Sequence, residues 1–175
     1  MLLRERVESL SRLMEVTALI SSTLDLDEVL SRVMSLAKEM MAAEAASILL
    51  WNEEIECLEF QTSVGGVGVE QLKTIRVPRG QGIAGTVVET GEPLLVADVT
   101  KDSRFFTKAD EATGFVTKSI LAAPLIVQDK IIGVGEVLNH TDGRPFTPLD
   151  LDLFASFCRQ VAVAIENARL HKEEV

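Results

Sequence analysis

Three groups of residues in this 175-residue chain have types and spacings that could do chemistry. Gly80-x-Gly82-x-x-Gly85 opens an apolar run that reads as a short helix closed by Gly91. Such a helix start offers free backbone N–H groups and the positive dipole end to an anion. The letters also match the dinucleotide fingerprint. Pro78 intervenes after the preceding strand, however, and hairpins follow instead of a parallel βαβ unit, so that reading is set aside. A tight turn is the competing role for these glycines. The second group is Glu136 alone. Strand alternation puts Ile132, Val134, Glu136 and Leu138 on one face, where a carboxylate among aliphatics is costly unless it meets a ligand, a backbone donor or a cation. The alternative is a strand-end glutamate that reaches water. The third group is Asp110, Thr113 and Thr117, whose side chains offer one donor type and several acceptors to a sugar or base edge. Asp and Thr are also common cap and turn formers. Two histidines (His140, His171) and two distant cysteines (Cys57, Cys158) assemble neither a nucleophile–base pair nor a zinc site.

The elements that must position these groups can be read from periodicity. Leu3, Val7, Leu10, Met14 and Thr17 alternate at four and three, a heptad-like seam over residues 2–22. Residues 25–43 predict an amphipathic helix, with Asp25 and Glu28 as its capping box and Leu26, Val29, Leu30, Val33, Met34, Ala37, Met40 and Met41 on one face. Strands are expected at 45–51 and 55–62, joined at Asn52-Glu53-Glu54, with a flexible turn at 65–68. Further strands follow at 75–78 and 94–98, flanking the 82–91 helix. A polar connector covers 102–114. Two long strands, 118–127 and 130–139, flank a tight turn at Gln128-Asp129, with Pro124 expected at an edge or bulge. Thr147, Pro148 and Asp150 mark the start of a last helix whose apolar residues are Phe154, Phe157, Val161, Ala164 and Ala168. Hairpins dominate, which predicts an α+β fold. Its sheet is largely antiparallel and six-stranded, helices pack on it, and long helices lie at both ends. The expected divisions are a signalling or dimerisation helix over 1–24, one domain over 25–170, and a continuing helical tail over 171–175.

Composition narrows the function classes. Hydrophobic residues make up 47% and charged residues 25%, values of a globular protein with a proper core. The net charge of −10 argues against nonspecific nucleic-acid binding and against direct contact with an anionic membrane. There is no apolar run of ~18 residues and no signal peptide, so a cytoplasmic location is expected.

Gly82-Ile83-Ala84-Gly85, Asp110 through Thr117, Ser119-Ile120-Leu121, Pro124-Leu125 and Ile132 through Asn139 together resemble a GAF domain over about residues 25–170. They look most similar to the cyclic-nucleotide-binding GAF domains of phosphodiesterases and adenylyl cyclases. The resemblance implies that the N–H groups of Ile83 and Ala84 meet a cyclic phosphate. It also implies that Ser47, Phe106, Asp110, Thr113, Thr117 and Glu136 lie around the ligand. The family's Asn-Lys…Phe-x3-Asp-Glu signature reads here Asn139-His140…Phe146-x3-Asp150-Leu151, so its Lys–Asp ion pair becomes at best a His140–Asp150 contact. Ser63 or Val64 stands where the relatives carry a guanine-reading Asp, which favours cAMP over cGMP. Bilin-linking and sulfoxide-reducing cysteines and a pocket histidine for haem are all missing.

The expectation is therefore a non-enzymatic regulatory domain without a cofactor, sensing a small molecule that a cyclic nucleotide could satisfy, and acting on an output domain of a larger chain. The alternative is a ligand-free structural or dimerisation module. The terminal seams predict a homodimer, and the competing outcome is a first helix folded back on its own domain.

Overall fold

The computed structural model describes residues 26–65, 69–105 and 107–174. The Leu3–Thr17 seam, the Asp25 cap, Phe106 and Val175 lie outside the described residues. The elements, in order, are α1 (Leu26–Met40), β1 (Ala43–Asn52), β2 (Cys57–Val64), α2 (Val69–Leu72), β3 (Arg76–Pro78), α3 (Gly82–Thr90), β4 (Leu94–Val96), a 3-10 turn (Val99–Lys101), α4 (Lys108–Thr113), β5 (Ile120–Val127), β6 (Lys130–His140) and α5 (Pro148–Glu174). The strands form one six-stranded sheet in the order β3-β2-β1-β6-β5-β4, with every neighbouring pair antiparallel. The expected α+β class and hairpin-rich sheet are present.

Local chemistry explains the framework. Gln128 and Asp129 both have positive φ (50° and 64°), the geometry of a two-residue turn whose twist matches the strands it joins. At the start of α5, the Asp150 N–H donates to Thr147 Oγ1 (3.2 Å) while the Thr147 N–H donates to Asp150 Oδ2 (2.9 Å), a reciprocal capping box. Pro124 pairs with Val134 of β6 just beyond the end of β4, one residue from a register shift, so no ladder on that side needs its missing N–H.

The sheet divides the core into two layers. On one face α1 and α5 pack on alternate residues of the central strands. There Leu30, Met34, Phe154 and Phe157 are fully buried, each stabilising by roughly 1.5–3 kcal/mol. On the other face α3 and the connectors cover Leu49, Leu58, Ile120 and Val134. Strict alternation fails at two bulges. Ile132 is skipped in the β5–β6 register and joins the α1/α5 layer, while Ile131 packs with the opposite layer. The expectation that Ile132 shares a face with Val134 and Glu136 is thus corrected. In β2 the register skips Gln61, so Phe60 and Ser63 both face the covered side and Val64 turns to the helix layer.

Candidate functional site

Between the sheet and its α3/α4 cover lies a cavity of about 80 Å³, within a concave space of about 770 Å³ that includes its open mouth. Ser47, Ile83, Ala84, Asp110, Thr113, Thr117 and Glu136 all line it, although they are separated by up to 89 positions in the chain.

The α3 end of the cavity is built by glycine. Gly80 and Gly82 have φ of 81° and 69°, and a Cβ at Gly85 would come within 2.4 Å of the Pro78 carbonyl oxygen. The Gly80 N–H donates to the Gly85 carbonyl at 2.9 Å, which folds the loop back on the helix. Gln81 supplies no side-chain cap. The first-turn N–H groups of Ile83 and Ala84 have no partner within the helix, and both residues are buried in the cavity wall. The glycine pattern therefore serves both readings offered for it: it makes the turn, and it leaves donors at a buried helix start.

The connector is tied together by its own side chains. Asp102 accepts two bonds from the Arg104 guanidinium (2.9 and 2.6 Å), which holds its carboxyl below the usual range. Asp110 accepts from the Thr117 hydroxyl (2.7 Å) and from the Thr117 N–H (2.8 Å), closing α4 onto the entry to β5. The Thr113 hydroxyl donates to the Ala109 carbonyl (2.8 Å) and accepts from the Phe115 N–H (3.2 Å). The Ser47 hydroxyl donates to Ser63 Oγ at 2.9 Å across the β1–β2 pair. Each of these four candidates is thus already engaged by a group of the protein.

Glu136 is the exception. It lies mid-sheet, opposite Ser47 on β1 and Ala122 on β5. It is only 8% exposed and has no hydrogen-bond or ion-pair partner among the described residues. Burial, with the Asp110 charge adding to it, raises its carboxyl to about 7. Among the described lining residues no cation faces it.

The signature residues lie elsewhere. Asn139, at φ 55° and 3% exposed, accepts from the N–H groups of Lys118 (2.7 Å) and Ser119 (3.1 Å) and donates to the Val116 carbonyl (2.8 Å). It staples the end of the cover to the end of β6. His140 accepts at Nδ1 from the Asp142 N–H (3.1 Å), and its ring meets Phe146 edge-on at 5.8 Å. Asp150 is taken up by the Thr147 capping box, with Arg144 Nη1 3.9 Å from Oδ2. Cys158 is buried under Gly135, which pushes its thiol up.

Sequence reasoning did not single out the aromatic walls of the cavity, Phe60, Phe105 and Phe115. Phe60 could be found by alternation from Leu58, but the two connector aromatics carry no periodic signal. Among the described residues no group of His, Cys, Asp and Glu could hold a metal, and no helix is long and apolar enough to cross a membrane.

A family model described as GAF domain matches residues 25–165. The chain is 34% identical over 154 residues to the probable 3',5'-cyclic phosphodiesterase pde-5 of Caenorhabditis elegans, covering 83% of the chain and 21% of that protein. It is 36% identical over 108 residues to the dual 3',5'-cyclic-AMP and -GMP phosphodiesterase 11 of Drosophila melanogaster, covering 60% of the chain and 7% of that protein. The chain thus spans about a fifth of one of these relatives' lengths and 7% of the other's. Among solved structures, the GAF domain from a phosphoenolpyruvate-protein phosphotransferase of Coxiella burnetii superposes with a TM-score of 0.81 at 19% identity, covering 96% of this chain and 98% of that one.

Proposed function

The chain belongs to the GAF domain family, and on that premise we propose that it is a regulatory, non-catalytic sensor domain that binds a small molecule between the sheet and the α3/α4 cover. The observation that carries this reading is Glu136, a carboxyl left buried and, among the described residues, without a partner, in a cavity whose α3 wall holds helix-start N–H groups with no cap. Leaving such a group unsatisfied costs about 1–3 kcal/mol, which a ligand would recover. An anionic group would sit at Ile83 and Ala84 and a flat ring between the sheet and the connector aromatics. A cyclic nucleotide has both parts, and the names of the phosphodiesterase relatives support that class. Within the class we favour cAMP over cGMP, because Ser63, already engaged with Ser47, supplies no carboxylate for the two donors of a guanine edge. Phe106, Asp110, Thr113 and Thr117 complete the proposed ligand shell.

Ordering of the cover on the ligand would bias the terminal helices and through them an output domain of a larger, cytoplasmic chain. The proposed organisation is a dimerisation helix over 1–24, the sensor domain over 25–170 and a helical tail over 171–175. Leu149, Val163 and Leu170 lie exposed on α5 at multiples of seven, a stripe that supports a homodimer through the terminal helices.

A second reading, a ligand-free structural module, is favoured by one observation. Ser47, Asp110, Thr113 and Thr117 are already bonded within the protein, around a cavity core of only about 80 Å³. Thermal-shift screening of refolded 175-residue chain against nucleotides and metabolites separates the two. A sensor is stabilised selectively by one compound class. Uniform absence of a shift would establish the structural reading.

A further inference from the structure

The polarity of the Glu136 side chain, which has no partner among the described residues, decides which ligands the cavity can hold. Glu136 is flanked in the sheet by Ser47 and Ala122, neither charged. The same cavity is lined by Ser63 from β2, by Ile83 and Ala84 from α3, and by Asp110 from α4, whose charge acts on Glu136. Asp110 is the one other ionisable side chain lining the cavity among the described residues, and it is negative, with both oxygens held by Thr117. A carboxylate charge at Glu136 would therefore be buried without a cation and beside a like charge, and the neutral acid is the form this surrounding accepts.

A neutral carboxylic acid is chemically different from the acceptor-only carboxylate. It presents one O–H donor beside one carbonyl acceptor, the same pattern as a glutamine amide. That pattern pairs two-fold with a heterocycle edge carrying a ring-nitrogen acceptor next to an amino donor, as glutamine does with adenine. An ionised carboxylate would instead suit two adjacent donors, as on guanine.

We propose that Glu136 meets the ligand as a neutral carboxylic acid, so that the cavity selects adenine-type edges and releases them when this carboxyl ionises. The inference rests on the sensor reading above and adds to it the edge that is read and the proton that gates it. It does not require that the ligand be a cyclic nucleotide, since adenine or an adenine nucleoside has the same edge.

The test is isothermal titration of the full 175-residue chain with cAMP, cGMP and adenine at pH 6.0, 7.0 and 8.0, for the wild type and E136Q. Neither purine edge changes protonation in that window. With a carboxyl near 7, affinity for cAMP or adenine should fall about tenfold between pH 6.0 and pH 8.0. E136Q, which keeps the donor–acceptor pattern and cannot ionise, should bind within about threefold of the wild type at pH 6.0 and show no pH dependence. Adenine-edge binding that is unchanged or stronger at pH 8.0 overturns the proposal. So does an E136Q protein that loses tenfold or more at pH 6.0 while its circular dichroism is unchanged. Absence of binding by all three probes also overturns it. In that last case a shift from another compound in the thermal screen leaves the sensor reading standing, and no shift from any compound removes both.

Discussion

Replacing Glu136 by glutamine should make the protein more stable at neutral pH, and increasingly so as pH rises. In the unfolded chain the carboxyl ionises in the ordinary range near 4.5, and in the folded chain at about 7. Between those values the folded state holds a proton that the unfolded state has released. Stability therefore falls as pH climbs through that window. Below about pH 4.5 both states are protonated and the group is neutral in its effect. Above about pH 7 the full penalty applies. At 1.36 kcal/mol per unit, a gap of about 2.5 units is a penalty of roughly 3 kcal/mol. Glutamine keeps the shape and carries no charge, so the wild-type-to-E136Q difference isolates this group from the other carboxylates. Urea denaturation of both proteins from pH 5 to pH 8 should show the gap widening by about 2.5 kcal/mol, which for a domain of this size corresponds to roughly 5–10 °C in Tm. A difference that stays constant with pH, or narrows toward pH 8, would refute the assignment of Glu136 as a buried, unpaired acid.

Other perturbations test the layers around that site. Gly135→Ala would place a Cβ 2.7 Å from Cys158 Sγ, so it should cost about 1–3 kcal/mol in denaturant midpoint, and Cys158→Ala in the same chain should restore much of the loss. Asn139→Ala removes three bonds to the end of the cover and should cost about 2–4 kcal/mol, with hydrogen exchange at the Lys118 and Ser119 amides accelerating more than at α1. Thr117→Val leaves the Asp110 carboxylate with the N–H bond alone; ligand affinity should drop about tenfold while the fold, read by circular dichroism, is kept. Val163→Glu with Leu170→Glu alters exposed residues of α5, and sedimentation equilibrium should show a dimer becoming monomeric with the unfolding midpoint of the domain little changed.

The amino-acid sequence by itself determined the elements whose energetics are local. Thr147-Pro148-Leu149-Asp150 starts α5 because the capping partners are three residues apart. Gln128-Asp129 closes the β5–β6 hairpin because two residues between long strands leave one favourable turn. The three-and-four spacing of Leu30, Val33, Met34 and Ala37 puts one face of α1 on the sheet whatever lies opposite it. The candidate site was legible to the extent that residue type limits role, which is how Glu136 and the Gly82 helix start stood out. Tertiary structure alone decided which of those residues are spoken for. Asp110 and Thr117 consume each other's bonds across seven positions, and Ser47 and Ser63 do so across two strands. Ile132 leaves the Glu136 face because a bulge is set by the register of β6 against β5, which no single strand contains. Asn139 acts on Val116, Lys118 and Ser119, about twenty positions back, through contacts that exist only once the sheet has closed. Glu136 is left without a partner among the described residues for the same reason: whether a buried charge finds a partner depends on every element packed around it, and periodicity carries information about one element at a time.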